Sequence, residues 1–163
     1  MRRVVTAMLG TAAVVLMATS VYAQAPNFAG KWTPDAEKNA AMNPNAGGGG
    51  RGGGRGGGMG GGEVTIAQDA KTLTVTRTTQ AGEMKLTYNL DGSPSKNMAM
   101  GRGGQTEVTS TAKWDGAKLV ITSDNGQSIT YAMDGAWLVQ STTSPGRGGG
   151  DPVTRSTYYK KGM

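Results

Sequence analysis

Residues 105–161 read QTEVTSTAKWDGAKLVITSDNGQSITYAMDGAWLVQSTTSPGRGGGDPVTRSTYYKK. Short alternating segments are broken by Trp114-Asp115-Gly116, by Asp124-Asn125-Gly126 and by Asp134-Gly135. Asp-Gly and Asn-Gly supply the positive φ that tight hairpin turns require, so the stretch predicts a β-meander. One alternate set collects Val108, Ala112, Leu119, Ile121, Ile129, Tyr131, Met133, Trp137, Val139, Val153, Arg155, Thr157 and Tyr159. Most of these are apolar, which predicts one buried face per strand.

The same period of two continues upstream. Val64 and Ile66, then Leu73, Val75 and Arg77, then Met84, Leu86, Tyr88 and Leu90 alternate with threonines and other polar residues. Turn residues stand at 69–71, 80–82 and 91–92. Residues 93–104 read as a longer loop. Asn27-Phe28-Ala29-Gly30-Lys31-Trp32 reads as the first strand, with Trp32 buried, and residues 35–41 as one or two helical turns. The reading is an all-β chain of eight or nine antiparallel strands. Consecutive hairpins with one apolar face close into an up-and-down barrel and so remove exposed edges; a two-layer sandwich is the alternative.

Two segments stand apart from this domain. Arg2 and Arg3 precede an apolar run, and Val21-Tyr22-Ala23 fits a cleavage site, which predicts a signal peptide over residues 1–23 and a periplasmic or secreted protein. After processing no transmembrane segment is expected. Residues 46–62 are a Gly run interrupted by Arg51, Arg55 and Met59. Such a run offers little to bury and predicts a disordered insertion within a single domain spanning 24–163. In a pure meander, residues 101–104 and 146–150 open at one end and the 46–62 run at the other. All three at one end would speak against up-and-down connectivity and for a polyanion site.

The chain contains neither Cys nor His. That excludes disulfides, thiol nucleophiles and His-based acid–base schemes, and most metal sites with them. Asp69, Asp91, Asp115, Asp124, Asp134 and Asp151 sit in predicted turns, where Asp serves the backbone. Glu63, Glu83 and Glu107 stand at strand starts, and no nucleophile elbow is present. No enzyme, cofactor or metal is implied, and a monomer is expected.

Net charge is +6. Arg2 and Arg3 belong to the leader, and Arg51, Arg55, Arg102 and Arg147 lie in Gly-rich runs; without these six, basic and acidic residues are equal in number. The Gly/Arg runs read as solubilising segments, with contact to a polyanionic surface as the alternative and nucleic acid not favoured.

Gly30-Lys31-Trp32 on the first strand, followed by about eight meandering strands, resembles the calycins: lipocalins, fatty-acid-binding proteins and avidin-like barrels. The stretch KWDGAKLV at 113–120 resembles a hairpin of fatty-acid-binding proteins, as does a last strand ending in Arg, Tyr and Lys. More closely, the chain resembles small exported bacterial lipocalin-like proteins of unknown function with Gly/Arg-rich insertions. The resemblance implies a barrel that holds a small, mostly apolar ligand. Fatty-acid-binding proteins hold a carboxylate with Arg and Tyr two residues apart on the last strand; here Thr157 takes the tyrosine's place after Arg155. Their helical lid would fall on the Gly/Arg run. In lipocalins a late Arg packs across the G-x-W tryptophan, which would assign Arg155 to Trp32. The candidate ligand residues are Arg77, Tyr88, Tyr131, Arg155 and Tyr159. For Arg77 the other reading is a strand end reaching solvent.

Overall fold

The computed structural model describes residues 25–42, 62–79, 82–101 and 104–162. The expected signal peptide at 1–23, the Gly run at 46–61, Arg51, Arg55 and Arg102 lie outside the described residues. Ten strands form one antiparallel sheet: β1 Gly30–Pro34, β2 Val64–Gln68, β3 Thr72–Thr79, β4 Gly82–Asn89, β5 Ser95–Gly101, β6 Gly104–Asp115, β7 Lys118–Ser123, β8 Ser128–Asp134, β9 Trp137–Ser144 and β10 Val153–Lys161. A seven-residue helix, α1 Ala36–Met42, follows β1. The strand order is β4-β3-β2-β1-β10-β9-β8-β7-β6-β5, so β1 and β10 join the two ends of the chain and the sheet curls into an up-and-down barrel.

The barrel has one strand more than the eight or nine expected. The addition is β5, which the sequence reading left as loop. Its inward positions are Ser95, Asn97 and Ala99, while Met98 faces out and is 49% exposed. The apolar alternation is therefore inverted, and no β-branched or aromatic residue marks the strand. The extra strand also changes the parity of the connections. The β1–β2, β5–β6 and β9–β10 connections all leave from one end, so the chain segments holding all three Gly-rich runs attach at a single rim. The expectation that 46–62 would attach at the opposite end is corrected, and the connectivity is nonetheless up-and-down.

The far end, the base, is filled with aromatic side chains. Phe28 is fully buried, stacks on Trp114 at 5.9 Å between centroids and tilts against Tyr131 at 6.2 Å. Trp32 donates its indole N–H to the Phe28 carbonyl at 2.8 Å. Gly30 has φ 143°, and a Cβ there would lie 3.3 Å from Lys161 Cε. The backbone conformation therefore calls for glycine in G-x-W, with the flexible end of Lys161 lying over it. The cation over Trp32 is Lys161 Nζ, 5.9 Å from the ring. Arg155, expected there, is exposed and pairs in register with Thr142 further up β10.

The inward set read from sequence is correct on β7 and at the core of β8, and is corrected on β9. There Leu138 and Gln140 are buried, and Trp137 and Val139 face outward. Helix α1 uses that outer face: Lys38 Nζ sits 4.5 Å over Trp137 and 5.3 Å from Tyr158. Asn39 binds the Tyr158 backbone in both directions, donating to its carbonyl and accepting from its N–H, each at 2.8 Å. The side-chain amide thus continues the β-ladder where β1 has ended.

Phe28→Ala should lower the unfolding free energy by about 3–5 kcal/mol, because it empties the centre of the base. Urea denaturation monitored by tryptophan fluorescence measures this.

Candidate functional site

Arg77 lies on β3 with Leu73 and Val75 on the same inward face. It does not reach solvent as a strand end would; it is 8% exposed. Its Nη2 donates to Oε1 of Gln140, which is itself 3% exposed. Arg77 and Gln140 belong to strands four steps apart in the sheet order, β3 and β9. The side chain therefore crosses the lumen and joins two walls of the barrel.

Two tyrosines face the same guanidinium. Tyr131 comes from β8, where its register partner on β9 is Gln140. Tyr159 comes from β10. Burial works against the Arg77 charge, but the facing Tyr131 and Tyr159 hydroxyls outweigh it and hold the pKa above its ordinary value. Burial pushes the Tyr131 phenol up, with the Arg77 charge acting in the opposite sense. Tyr88, 4% exposed on β4, is likewise pushed up by burial and by Tyr131, against Arg77. Across neutral pH the Arg77 cation is thus met by the neutral phenols of Tyr88 and Tyr131 and by the Gln140 amide.

One polar atom in this cluster is left over. The Tyr159 hydroxyl is fully buried and, beyond the Arg77 guanidinium it faces, has no hydrogen-bond partner among the described residues, so nothing there accepts its proton. A buried hydroxyl whose proton has no acceptor costs stability, so its retention marks a place where an acceptor belongs.

Of the five candidate ligand residues, Arg77, Tyr88, Tyr131 and Tyr159 are thus gathered in the lumen. Arg155 has the parity of the inward set but lies at the open rim, beside Val153, which is 52% exposed. Of the Gly-run arginines only Arg147 lies among the described residues, in the turn Arg147–Gly149 between β9 and β10. Gln140 was missed. Its signal was hairpin register: the turn at Asp134-Gly135 pairs Asp134 with Trp137, and counting back places 140 opposite Tyr131.

A cleft of about 320 Å³ opens elsewhere, near the base, lined by Asn27, Gln68, Asp69, Leu90 and Trp114 among others. Its polar groups serve the fold. Gln68 binds the Phe28 N–H and the Pro26 carbonyl, and Asp69 caps its own turn through Lys71 and Thr72.

Ten meandering strands around a polar-centred lumen, with G-x-W at the base, decide the architecture. The chain has the calycin barrel fold. Solved structures agree. Zebrafish ileal bile-acid-binding protein complexed with cholic acid is 19% identical, with a TM-score of 0.55 over 82% of this chain and 98% of that one. A tyrosine-to-phenylalanine variant of the REP1-NXSQ fatty acid transporter is 12% identical, with a TM-score of 0.56 over 82% and 96%. Human cRBP IV is 13% identical, with a TM-score of 0.57 over 84% and 99%. At these identities the likeness is one of fold. No family model and no curated protein matches the sequence. Within the calycin barrel, the lumen cluster around Arg77 is the candidate site.

Two measurements probe it. Gln140→Leu should cost about 1–3 kcal/mol, since it removes an acceptor from a buried guanidinium, and adding Arg77→Met should recover part of that loss. A double-mutant cycle by urea denaturation reads both. The raised phenol pKa values of Tyr88 and Tyr131 contribute stability that is complete below the unfolded tyrosine pKa of 10.0. That stability is lost as pH rises above it towards the folded values, because the unfolded chain releases those protons first. Stability should therefore fall above pH 10, and Tyr131→Phe should flatten the fall.

Proposed function

We propose that the protein is an exported, periplasmic or secreted, non-catalytic barrel that binds a small, mostly apolar molecule in its lumen. In this reading the ligand carries an acidic head group, held by the Arg77 guanidinium and the hydroxyls of Tyr131 and Tyr159. The buried Tyr159 hydroxyl beside Arg77, whose proton has no acceptor among the described residues, carries the proposal. A carboxylate there would accept from both groups, and charge-assisted hydrogen bonds of this kind are the strong ones. Leu86, Ile121 and Ile129 belong to the buried apolar interior, which suits an apolar body. Fold neighbours that hold cholic acid or transport fatty acid are in keeping with it. Tyr88 lines the same lumen, and Arg155 stands at its rim.

A second reading has one observation in its favour. The three Gly-rich segments attach at one rim, which would gather Arg51, Arg55, Arg102 and Arg147 for a polyanionic surface. Retention of the protein on heparin above moderate salt would support it, and flow-through at low salt would oppose it.

Titration calorimetry with dodecanoate tests the leading reading. Arg77→Met should weaken binding by about 10- to 100-fold and Tyr159→Phe by about fivefold. Tyr159→Phe should leave the melting temperature nearly unchanged, whereas Arg77→Met strands the Gln140 acceptor and should lower it, so affinities are compared at a temperature where both variants are folded. Equal affinities in all three proteins, or no binding by any, would overturn it.

A further inference from the structure

Charge is divided unevenly between the two faces of the barrel wall. Acidic residues within the described strands face outward. Glu83, Glu107, Asp115 and Asp134 pair in register with Thr78, Met98, Lys118 and Trp137 on the outer face. The ion pairs among the described residues lie outside as well: Lys31 meets Glu63 at 3.6 Å, Lys38 meets Asp134 at 3.9 Å and Lys96 meets Glu107 at 2.9 Å. The lumen is the reverse. Above the aromatic base, the described inward positions carry two cations, Arg77 and Arg155, and no carboxylate. Lys161 shares the parity of Arg155 but lies at the base, over Trp32.

The two arginines stand at the ends of one polar strip. Arg77 donates to Gln140, and Gln140 pairs in register with Thr157. The next inward step towards the rim pairs Thr142 with Arg155. The Gln140 amide donates to the Thr142 hydroxyl at 3.4 Å, and Thr142 and Thr157 are both half-buried. The β9–β10 wall therefore stays polar from the lumen cluster to the rim, while β4 and β7 turn Leu86 and Ile121 inward. A strand advances about 3.3 Å per residue, so Arg155 stands about 7 Å above the level of Gln140 and about 13 Å above Tyr159. A purely apolar tail running up from Arg77 would end along hydroxyls and beside a second cation. An acidic far end would instead neutralise that cation, inside a concave site that focuses its field.

We propose that the lumen takes a chain molecule acidic at both ends, with one end on Arg77 and Tyr159 and the other on Arg155 at the rim. The proposal rests on the lumen-binding reading above and adds to it the chemistry of the ligand's far end. It makes Arg155 the residue that separates diacids from monoacids. The two contacts differ in kind. Arg77 is 8% exposed and Arg155 is exposed, so salt screens the rim contact much more than the deep one.

Titration calorimetry with dodecanedioate and dodecanoate, chains of equal length that differ at one end, tests the proposal. At low salt, Arg155→Met should shift the ratio of the two affinities against the diacid by about three- to fivefold, the worth of one exposed ion pair. Arg155→Lys should keep most of the ratio, because the charge remains. In about 1 M salt the shift should nearly vanish. Dodecanedioate carrying carbon-13 in both carboxyl groups gives a second readout. Bound to the unaltered protein it should show two carboxyl signals, and Arg155→Met should move only one of them. An affinity ratio unchanged by Arg155→Met, a loss shared equally by both ligands, or carboxyl signals that do not respond would overturn the two-ended ligand while leaving the lumen site intact. Binding of neither ligand by the unaltered protein would overturn the lumen-binding reading and this proposal with it.

Discussion

A guanidinium stays charged under all ordinary conditions, so a buried arginine dictates its surroundings. Arg77 is the residue on which the interior is arranged. It stands on β3 and reaches Gln140 on β9, while Tyr131 and Tyr159 bring hydroxyls from β8 and β10. Four strands must hold register for these groups to meet. The walls on either side of the lumen are thereby tied through one side chain, and the interior is divided. Towards the base, Phe28, Trp32 and Trp114 fill the space. Towards the rim, the inward positions of β10 become exposed at Arg155 and Val153.

Asparagine side chains solve a second problem, that of strands that stop short or drift apart. Asn39 satisfies Tyr158 beyond the end of β1, and Asn97 satisfies Thr87 across the β4–β5 seam. In both cases a side-chain amide stands in for a peptide group, because it offers the same donor and acceptor in the same plane. The first anchors α1 to the outside of β10. The second closes a sheet that would otherwise have two bare edges. The barrel is therefore closed without being equally strong all round.

Much of this was legible before any coordinates. The Asp-Gly and Asn-Gly corners determined the hairpins, and Gly116, Gly126 and Gly135 do take positive φ. Trp32 was read as buried from the aromatic pair flanking Gly30, and Arg77 on an apolar face from alternation; both readings agree with the burial found. The failures share a cause. Alternation reports hydrophobicity, and β5 turns small polar residues inward because its neighbour across the seam is bonded by side chains. On β9, Trp137 and Val139 look like core residues, but both face outward, and Trp137 finds its place there under Lys38 of helix α1. Arg155 and Lys161 have the same parity on one strand. Only the pairing of Trp32 with Lys161 decides which of them meets the tryptophan.

The central claim is that the lumen holds a small molecule at Arg77, and native mass spectrometry of the protein purified from its own host tests it most directly. The account predicts a reproducible adduct of a few hundred daltons that is lost from the Arg77→Met protein. Bare protein at the mass of the processed chain, unshifted by added apolar acids, would contradict it and leave a filled barrel with an internal strut.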